Sequence, residues 1–289
     1  MNAEDIAKAL GASRTGAGWM ARCPSHADRT PSLAICTSRS GKPLVHCFAG
    51  CSQAAVIAEL RQLGYWGTGN TFSAGSVHTT ASDNDRTDYS EYALSIWQAS
   101  RFAAGTPAAR YLRGRGLTLP IPASLRFNPG LKHPSGTLLP CMVGLFTRGS
   151  DGEENAIHRT FLTKDGSGKA PVTPNKMMLG PSRGGAVRLA IATDTVMVGE
   201  GIETCLAAMQ ATGRPAWAAL STSGLRTLNL PRTIRDIVVL ADGDPPGEAA
   251  ATAAARRWRA DGRSVRIARP PAGMDFNDML CAGAREVVA

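Results

Sequence analysis

The spacing of apolar residues is most regular toward the C-terminus. Short apolar runs rich in β-branched residues at 195–199 and 236–241 each lead into a helical stretch, at 201–212 and 246–260. Runs of this length are typical of buried parallel strands, and their alternation with helices indicates a parallel sheet with covering helices. The sequence therefore predicts an α/β domain over residues 193–289. Weaker signals in the same region predict strands at 216–220 and 264–268 and a short helix at 223–228.

Residues 1–64 form a separate predicted module. Its pattern predicts a helix at 3–10, strands at 32–36 and 44–48, and a helix at 53–63 that Ser52 caps and Gly64 ends. The composition changes over residues 65–90, where Gly, Ser, Thr, Asn and Asp dominate and large apolar residues are few. That composition predicts a flexible linker, and the alternative is a loop that becomes ordered on nucleic acid.

Residues 91–192 complete the domain organisation as a small mixed subdomain, the N-terminal part of a larger core. The predicted elements are helices at 91–104 and 107–113 and strands at 138–146, 156–162 and 186–191. The predicted fold class is α/β, or α+β over the whole chain: a small module, a linker, a mixed subdomain and a parallel sheet with covering helices.

Carboxylates follow two of the predicted parallel strands. Glu200 ends one, and Asp242 and Asp244 follow the other. Open α/β sheets bind ligands at the carboxyl ends of their strands, and clustered carboxylates ionise at low cost only when cations neutralise them. Mg²⁺ prefers such oxygen ligands, usually shared with phosphates, which predicts a metal-dependent enzyme acting on phosphodiesters or nucleotides. The alternative for the second pair is a plain turn with a helix cap.

Four Cys and His residues in the N-terminal module have metal-ligand spacing. Two residues lie between Cys23 and His26, three lie between Cys47 and Cys51, and twenty residues separate the two pairs. Two such pairs can hold one tetrahedral Zn²⁺, and three thiolates with one imidazole leave no open position for catalysis, so the predicted role is structural. Two nearby residues are possible substitute ligands, Cys36 and His46, and incidental cysteines in a small reduced domain are the remaining alternative.

Charge and compartment narrow the class of function. The formal net charge is +9 and the sequence pI is about 9.5, which suits a polyanionic substrate, although Arg-rich composition alone can also reflect genome bias. Seven cysteines, an odd number, argue against a disulfide framework and for a reducing cytoplasm. No apolar run is long enough to span a bilayer and the first residues do not form a signal peptide, so no membrane association is expected.

Several strings resemble a known family. Residues 23–33 (CPSHADRTPSL) and 46–51 (HCFAGC) resemble the CHC2-type zinc ribbon of bacterial and phage DNA primases. The strings GEGIET and ADGDPPG, which contain the three carboxylates, are similar to the Toprim domain of primases, topoisomerases and some nucleases, and DFND at 275–278 resembles its third acidic motif. Primases of phages, plasmids and integrated elements are also similar in the middle of the chain, at YLRGRGL (111–117), HRTFL (158–162) and GKAP (168–171).

The resemblance implies a template-dependent primase that makes short RNA primers from NTPs on single-stranded DNA. Asp242 and Asp244 would be the leading Mg²⁺ or Mn²⁺ ligands, Glu200 a ligand or an acid/base group, and Asp275 and Asp278 candidates for a second metal. The zinc ribbon would bind the template. Substrate phosphates would contact two basic residues of the family-like strings, Arg159 and Lys169, for each of which a solvated basic face is the alternative.

Two other functions are compatible with the same motifs. A Toprim nuclease would use similar carboxylates for hydrolysis, and a non-catalytic single-stranded-DNA-binding accessory protein would not use them at all. The chain has no Gly-x4-Gly-Lys-Ser/Thr motif, which predicts that no helicase is fused to it. Unwinding would then come from a separate replicative or element-encoded helicase.

Overall fold

Two compact units, Met1–Thr80 and Ala81–Ala289, make up the chain. The computed structural model describes residues 1–15, 18–37, 41–66, 83–271 and 274–280, with the backbone alone for 83–88. Within these described ranges, no helix combines the length and the apolar character needed to cross a membrane.

The first unit is an antiparallel sheet between two helices in sequence. Its elements are α1 (Ala3–Ala9), β1 (Ser13–Thr15), β2 (Gly18–Ala21), β3 (Leu33–Thr37), β4 (Pro43–Cys47) and α2 (Gln53–Gln62), and the strands pair in chain order. Ile6 of α1, Ile35 of β3 and Leu60 of α2 are fully buried in one apolar cluster. The predicted elements agree within two residues, and Ser52 caps α2 as predicted. The short strands β1 and β2 were not predicted.

The second unit begins with helices and continues as one long sheet with helical crossovers. Its elements are α3 (Asp83–Ala99), β5 (Arg101–Phe102), α4 (Pro107–Gly114), β6 (Leu125–Lys132), β7 (Leu138–Arg148), β8 (Glu154–Phe161), β9 (Lys176–Leu179), β10 (Gly185–Arg188), β11 (Thr195–Gly199), α5 (Ile202–Thr212), β12 (Ala216–Ala218), α6 (Thr222–Thr227), β13 (Asp236–Leu240), α7 (Pro245–Ala260) and β14 (Ser264–Ala268).

The sheet combines a parallel part and an antiparallel part. The strand order is β14-β13-β11-β12-β10-β7-β6-β5, with β8 paired to β7 and β9 paired to β8. Strands β11 to β14 pair in parallel, whereas β10 lies antiparallel to both β12 and β7. Strand β10 therefore joins the parallel sheet to the antiparallel strands through continuous backbone hydrogen bonding. The α/β fold class predicted from the sequence is confirmed.

Apolar clusters form on both faces of the parallel strands. One contains side chains of α4 and α5, and another contains side chains of α6 and α7, including the fully buried Trp258. A further cluster joins α3 to the antiparallel strands, with Trp97 near Phe161. Because helices cover both faces, the open edge of the sheet where strands end is left for ligands.

Three details differ from the sequence expectations. Helix α3 begins at Asp83, inside the predicted linker, and ends at Ala99 rather than 104. Strand β6 was not predicted because Pro129 and Gly130 interrupt its apolar pattern, and the pairing register shifts there between Asn128 and Leu131. Strands β5 and β9 also were not predicted, and β5 lies inside the predicted helix 91–104. Most of the predicted linker, residues 67–82, lies outside the described residues, and the domain boundaries remain predictions.

Candidate active site and zinc centre

The four predicted zinc ligands converge in the first unit. Candidate ligand atoms of Cys23, His26, Cys47 and Cys51 all lie within 4.8 Å of one another, and the Cys51 Sγ is 3.2 Å from the His26 Nδ1. Three sulfurs and one imidazole nitrogen at such spacing form the donor set of a closed structural zinc site. The residues present therefore fit a bound Zn²⁺, with Nδ1 as the nitrogen facing the sulfurs.

Asp28 supports this group, although it is not one of the ligands predicted from the sequence. Its Oδ2 accepts hydrogen bonds from the Cys23 amide at 2.7 Å and from the Ser32 hydroxyl at 2.6 Å, while its Oδ1 lies 3.5 Å from the His26 Nε2. These hydrogen bonds, from Ser32 first, lower the pKa of Asp28. A carboxylate facing the second ring nitrogen of a ligating histidine fixes the orientation and tautomer of that histidine.

The two substitute ligands do not join the group. Cys36 lies in β3 opposite Leu44 of β4 and is half-buried. His46 is exposed on β4, where its ring stacks edge-on against Phe48. Among the residues that the structure describes, no second set of three Cys, His or acidic ligands converges as closely.

Strand register brings the predicted acidic residues to one edge of the parallel sheet. Gly199 at the end of β11 is paired with Leu240 at the end of β13. Glu200 follows the first strand, and Asp242 follows the second after one further residue, so both carboxylates lie at the carboxyl edge predicted from sequence. Gly247 lets the first turn of α7 lie close to Asp242, because a Cβ at position 247 would be only 2.8 Å from the Asp242 Cβ.

Burial and neighbouring negative charges raise the pKa values of Glu200 and Asp242. Burial, followed by the charges of Asp242 and Asp244, raises the pKa of Glu200 to about 7. Burial and the charge of Asp244 likewise raise the pKa of Asp242. The Glu200 Oε1 and the Asp242 Oδ1 are buried and have no hydrogen-bond partner in the described part of the chain. Buried carboxylate oxygens without donors fit a divalent cation, which would supply the missing charge and ligation.

Asp244 has a second task at the same edge. Its Oδ1 accepts a 2.7 Å hydrogen bond from the Gly247 amide and so caps α7. The turn-and-cap alternative raised for this segment is therefore present in the structure. A cap uses one carboxylate oxygen, which leaves the other available for a ligand.

The third acidic motif lines the same cleft. Asp275 and Asp278 exchange hydrogen bonds, since each carboxylate accepts from the amide of the other. Arg115 lies 3.9 Å from Asp275. The cleft has a volume of about 490 Å³, and its wall includes Asp242 and Asp244 with both residues of this motif.

A basic wall in the same cleft brings together residues far apart in the sequence. Lys169 and Lys176 both line it, and both ammonium groups contact the buried carboxylate of Glu203, at 3.7 Å and 3.0 Å. The Tyr111 hydroxyl donates a 2.5 Å hydrogen bond to the same carboxylate. The cleft therefore contains the carboxylates and the cations that a metal–phosphate substrate requires.

The second predicted phosphate contact lies elsewhere. Arg159 in β8 donates a hydrogen bond to the Met178 carbonyl and lies beside the Phe161 ring, and it does not line the acidic cleft. Successive side chains of a strand point to opposite faces, and it is the neighbouring His158 that lies close enough to Lys176 for that charge to lower its pKa. Of the two predicted basic contacts, the structure brings Lys169 alone to the acidic residues.

Sequence reasoning missed three supporting residues. Glu203 and Tyr111 were present in the family-like strings but were given no role, and Asp28 was present in the zinc string. A polar residue that lies inside a motif and has no assigned role is the one signal that could have identified them. Glu203 and Tyr111 lie 92 residues apart, so spacing alone could not have paired them.

Comparisons with known proteins agree with parts of this arrangement. A family described as Domain of unknown function (DUF7146) matches residues 87–189, and the Toprim domain matches residues 195–286. No curated protein matches the chain.

Solved structures of primases are similar to the chain at low identity. A DNA primase domain from Pseudomonas aeruginosa is 20% identical, with a TM-score of 0.46 over 69% of this chain and 77% of that one. The zinc-binding and RNA polymerase domains of the Aquifex aeolicus primase are 15% identical, with a TM-score of 0.42 over 100% and 81%. The primase fragment of the bacteriophage T7 primase-helicase is 14% identical, with a TM-score of 0.41 over 96% and 98%.

The Toprim match covers Glu200, Asp242 and Asp244 and also Asp275 and Asp278. The converging Cys/His group lies ahead of it in the chain. With this zinc-ligand group and a Toprim domain over residues 195–286, the chain resembles the bacterial and phage DNA primases that carry a zinc ribbon and a Toprim domain.

Proposed function

We propose that the protein is a template-dependent DNA primase that joins NTPs into short RNA primers on single-stranded DNA. The observation that carries this proposal is the acidic cleft itself, where four carboxylates of the Toprim region share one cavity with Lys169 and Lys176: Asp242, Asp244, Asp275 and Asp278. Phosphoryl transfer depends mainly on positioning and on neutralising charge, and such a cleft provides groups for both. The biological setting proposed is the cytoplasmic replication of a phage, plasmid or integrated element.

The acidic residues and Lys169 have proposed roles. Asp242 and Asp244 would hold Mg²⁺ or Mn²⁺, with Glu200 as a further ligand or as the acid/base group, and Asp275 and Asp278 would serve a second ion. A bound divalent ion supplies Lewis-acid stabilisation of the attacking and leaving oxygens. The ammonium group of Lys169 would bind and orient the triphosphate of the incoming NTP.

The proposed contacts outside the cleft concern template and partners. The Cys/His module with structural Zn²⁺ would bind the single-stranded template, and a separate replicative or element-encoded helicase would open the duplex. Arg159 remains a proposed phosphate contact, but at a different part of the surface from the acidic cleft. The net charge of +9 supports a polyanionic ligand in general.

The test is primer synthesis with matched variants. The protein is incubated with mixed single-stranded templates, labelled NTPs and Mg²⁺ or Mn²⁺, and short products are resolved on a gel. Asp242→Asn and Glu200→Gln should abolish synthesis, whereas Glu248→Gln, a change at an exposed acid paired with Arg269, should not affect it.

Two outcomes would overturn the proposal. Priming at the wild-type rate by both Asp242→Asn and Glu200→Gln would remove the acidic cluster from the chemistry. Template cutting that depends on Asp242, in the absence of any primer, would identify a Toprim nuclease instead.

A further inference from the structure

Glu203 is a buried carboxylate to which the proposed chemistry gives no role. It lies in the first turn of α5, three residues after Glu200, and its side chain is 7% exposed. The Lys176 ammonium donates to its Oε2 at 3.0 Å, the Lys169 ammonium lies 3.7 Å from its Oε1, and the Tyr111 hydroxyl donates to Oε1 at 2.5 Å. Three side chains from two separate segments therefore hold one carboxylate.

The ionised state of Glu203 depends on its basic neighbours. Burial alone would raise the pKa of Glu203, but the charge of Lys176 and the Tyr111 hydrogen bond hold it down at about 2. The adjacent His158 stays neutral, because burial lowers its pKa to about 3. Among the described residues, Glu203 is the one carboxylate that forms an ion pair with either lysine. It is therefore the counter-ion of both.

A competing partner lies in the same cleft. Asp242 lines the cleft with Lys176, and the positive charge of Lys176 already acts on it by opposing the rise of its pKa. Lysine has a flexible four-carbon side chain, so an ammonium group released from Glu203 can turn toward other carboxylates. An ammonium group on Asp242 would occupy the oxygen that now lacks a partner.

We propose that Glu203 is a positioning residue that holds the ammonium groups of Lys169 and Lys176 away from Asp242, so that the acidic cluster stays open to a divalent cation. The inference rests on the proposed metal site and adds a residue that acts through the lysines. Glu203 separates the cationic wall from the acidic wall, and both walls can then contact one metal–triphosphate substrate.

The test measures Mn²⁺ binding to the zinc-loaded full-length protein, from the electron paramagnetic resonance signal of free Mn²⁺. Glu203→Asp keeps the charge but shortens the side chain, so a role through charge alone predicts unchanged binding. Positioning predicts binding weaker by about five- to ten-fold, the size of coupling expected between contacting charged residues. Glu248→Asp is the matched control, since Glu248 also lies in the first turn of a helix and pairs with a cation.

A second substitution tests whether the effect passes through the lysine. In a Lys176→Met background, Glu203→Asp should weaken Mn²⁺ binding by less than about half the factor seen in the wild-type background, because only the Lys169 ammonium group remains to compete. An equal loss in both backgrounds would overturn the proposal and make Glu203 a direct ligand. Unchanged binding in Glu203→Asp would overturn it as well.

Folding and the metal site have their own readouts. Circular dichroism and zinc content check that Glu203→Asp is folded, and if it is not, Tyr111→Phe decides, because it loosens Glu203 without changing any charge. Unchanged Mn²⁺ binding in Tyr111→Phe would then contradict the proposal. If the wild-type protein binds no more Mn²⁺ than Asp242→Asn does, the metal site itself is refuted. If Asp242→Asn loses Mn²⁺ binding but Glu203→Asp does not, only the role of Glu203 is refuted.

Discussion

Two glutamates three residues apart differ sharply in protonation. Glu200 is half-buried near the charges of Asp242 and Asp244, and its pKa rises to about 7. Glu203 is more deeply buried, but two lysines and a tyrosine hydroxyl keep its pKa at about 2. The nearest charges, rather than burial alone, therefore decide which carboxylate stays ionised.

The raised pKa of Glu200 predicts a pH-dependent loss of stability. Between the usual glutamate pKa of 4.5 and the folded value of about 7, the folded protein holds a proton that the unfolded chain releases. Stability contributed by Glu200 is therefore present at low pH and lost as pH rises through this window. Glu200→Gln lacks that loss, so its melting temperature should rise relative to wild type between pH 4.5 and pH 8.

Thermal unfolding at several pH values, without added Mg²⁺ or Mn²⁺, measures this difference. Added Mg²⁺ should reduce it, because the ion stabilises the ionised form in the wild-type protein. A difference that stays constant across the pH range would contradict the prediction.

Asp28 leads to a prediction about zinc. Asp28→Asn keeps the size of the side chain but removes the charge that faces the His26 Nε2. Such substitutions behind a ligating histidine weaken metal affinity by roughly 10–100-fold. Competition with a chromophoric chelator should show this loss in Asp28→Asn, while Glu59→Gln, at an acid of α2 outside the ligand group, should match wild type. Equal zinc affinity in Asp28→Asn would leave Asp28 with a folding role alone.

Residues that lie close together in the sequence were predictable, whereas contacts between residues far apart in the sequence were not. The Cys/His group and the acidic residues at the strand ends lie in short strings, so spacing and strand ends were sufficient to predict where these side chains lie. The lysine contacts of Glu203 span 27 and 34 positions, and the bond from Tyr111 spans 92. That Arg159 lies outside the acidic cleft could not be predicted for a related reason, because the sequence did not reveal β9 and so did not show which face of β8 lies toward Lys176.

Among the elements, α7 begins at the candidate metal site, because its capping residue Asp244 is also a proposed metal ligand. Asp244 caps the helix through Gly247, and Pro245 occupies its first turn. Asp244→Ala removes both the cap and the charge, whereas Asp244→Asn can keep the cap. The alanine variant should therefore lose about 1 kcal/mol of stability relative to the asparagine variant, and both should lose primer synthesis.

Chemical denaturation resolves the two contributions, because the cap affects the free energy of unfolding while the charge affects activity. Equal stability of the two variants would show that the cap contributes little. Restored priming in Asp244→Asn would show that the carboxylate charge is dispensable.

Elements were predictable where apolar periodicity was strong. The parallel strands and α7 follow the pattern closely, because both faces of this part of the sheet are buried. Strand β6 and the start of α3 were not, since Pro129 and Gly130 break the first pattern and polar residues make up the beginning of the second. Tertiary contacts, such as those of Trp97 in the α3 cluster, complete what local preference leaves open.

For the whole molecule, the continuous sheet predicts how fragments behave. Strand β10 pairs with β12 on one side and β7 on the other, so residues 193–289 alone lose a neighbouring strand and the apolar side chains beyond it. A fragment of residues 83–289 keeps these contacts and should unfold in one cooperative transition. The shorter fragment should fail to do so, as measured by circular dichroism and resistance to protease.

A cooperative transition in the 193–289 fragment would show instead that the Toprim region is independent of β10. The comparison also locates the functional boundary, because only the longer fragment contains the lysines of the cleft. Mn²⁺ binding by 83–289 would place the first unit outside the metal site.

The acidic and basic walls of the cleft come from regions that match two different family models. The lysines and Tyr111 lie within residues 87–189, and the carboxylates with Glu203 lie within residues 195–286. Recombination that exchanges one region without the other would separate Glu203 from its cations and bury an uncompensated charge. In related chains we therefore expect positions 111, 169, 176 and 203 to change together, and the two regions to be inherited as a pair.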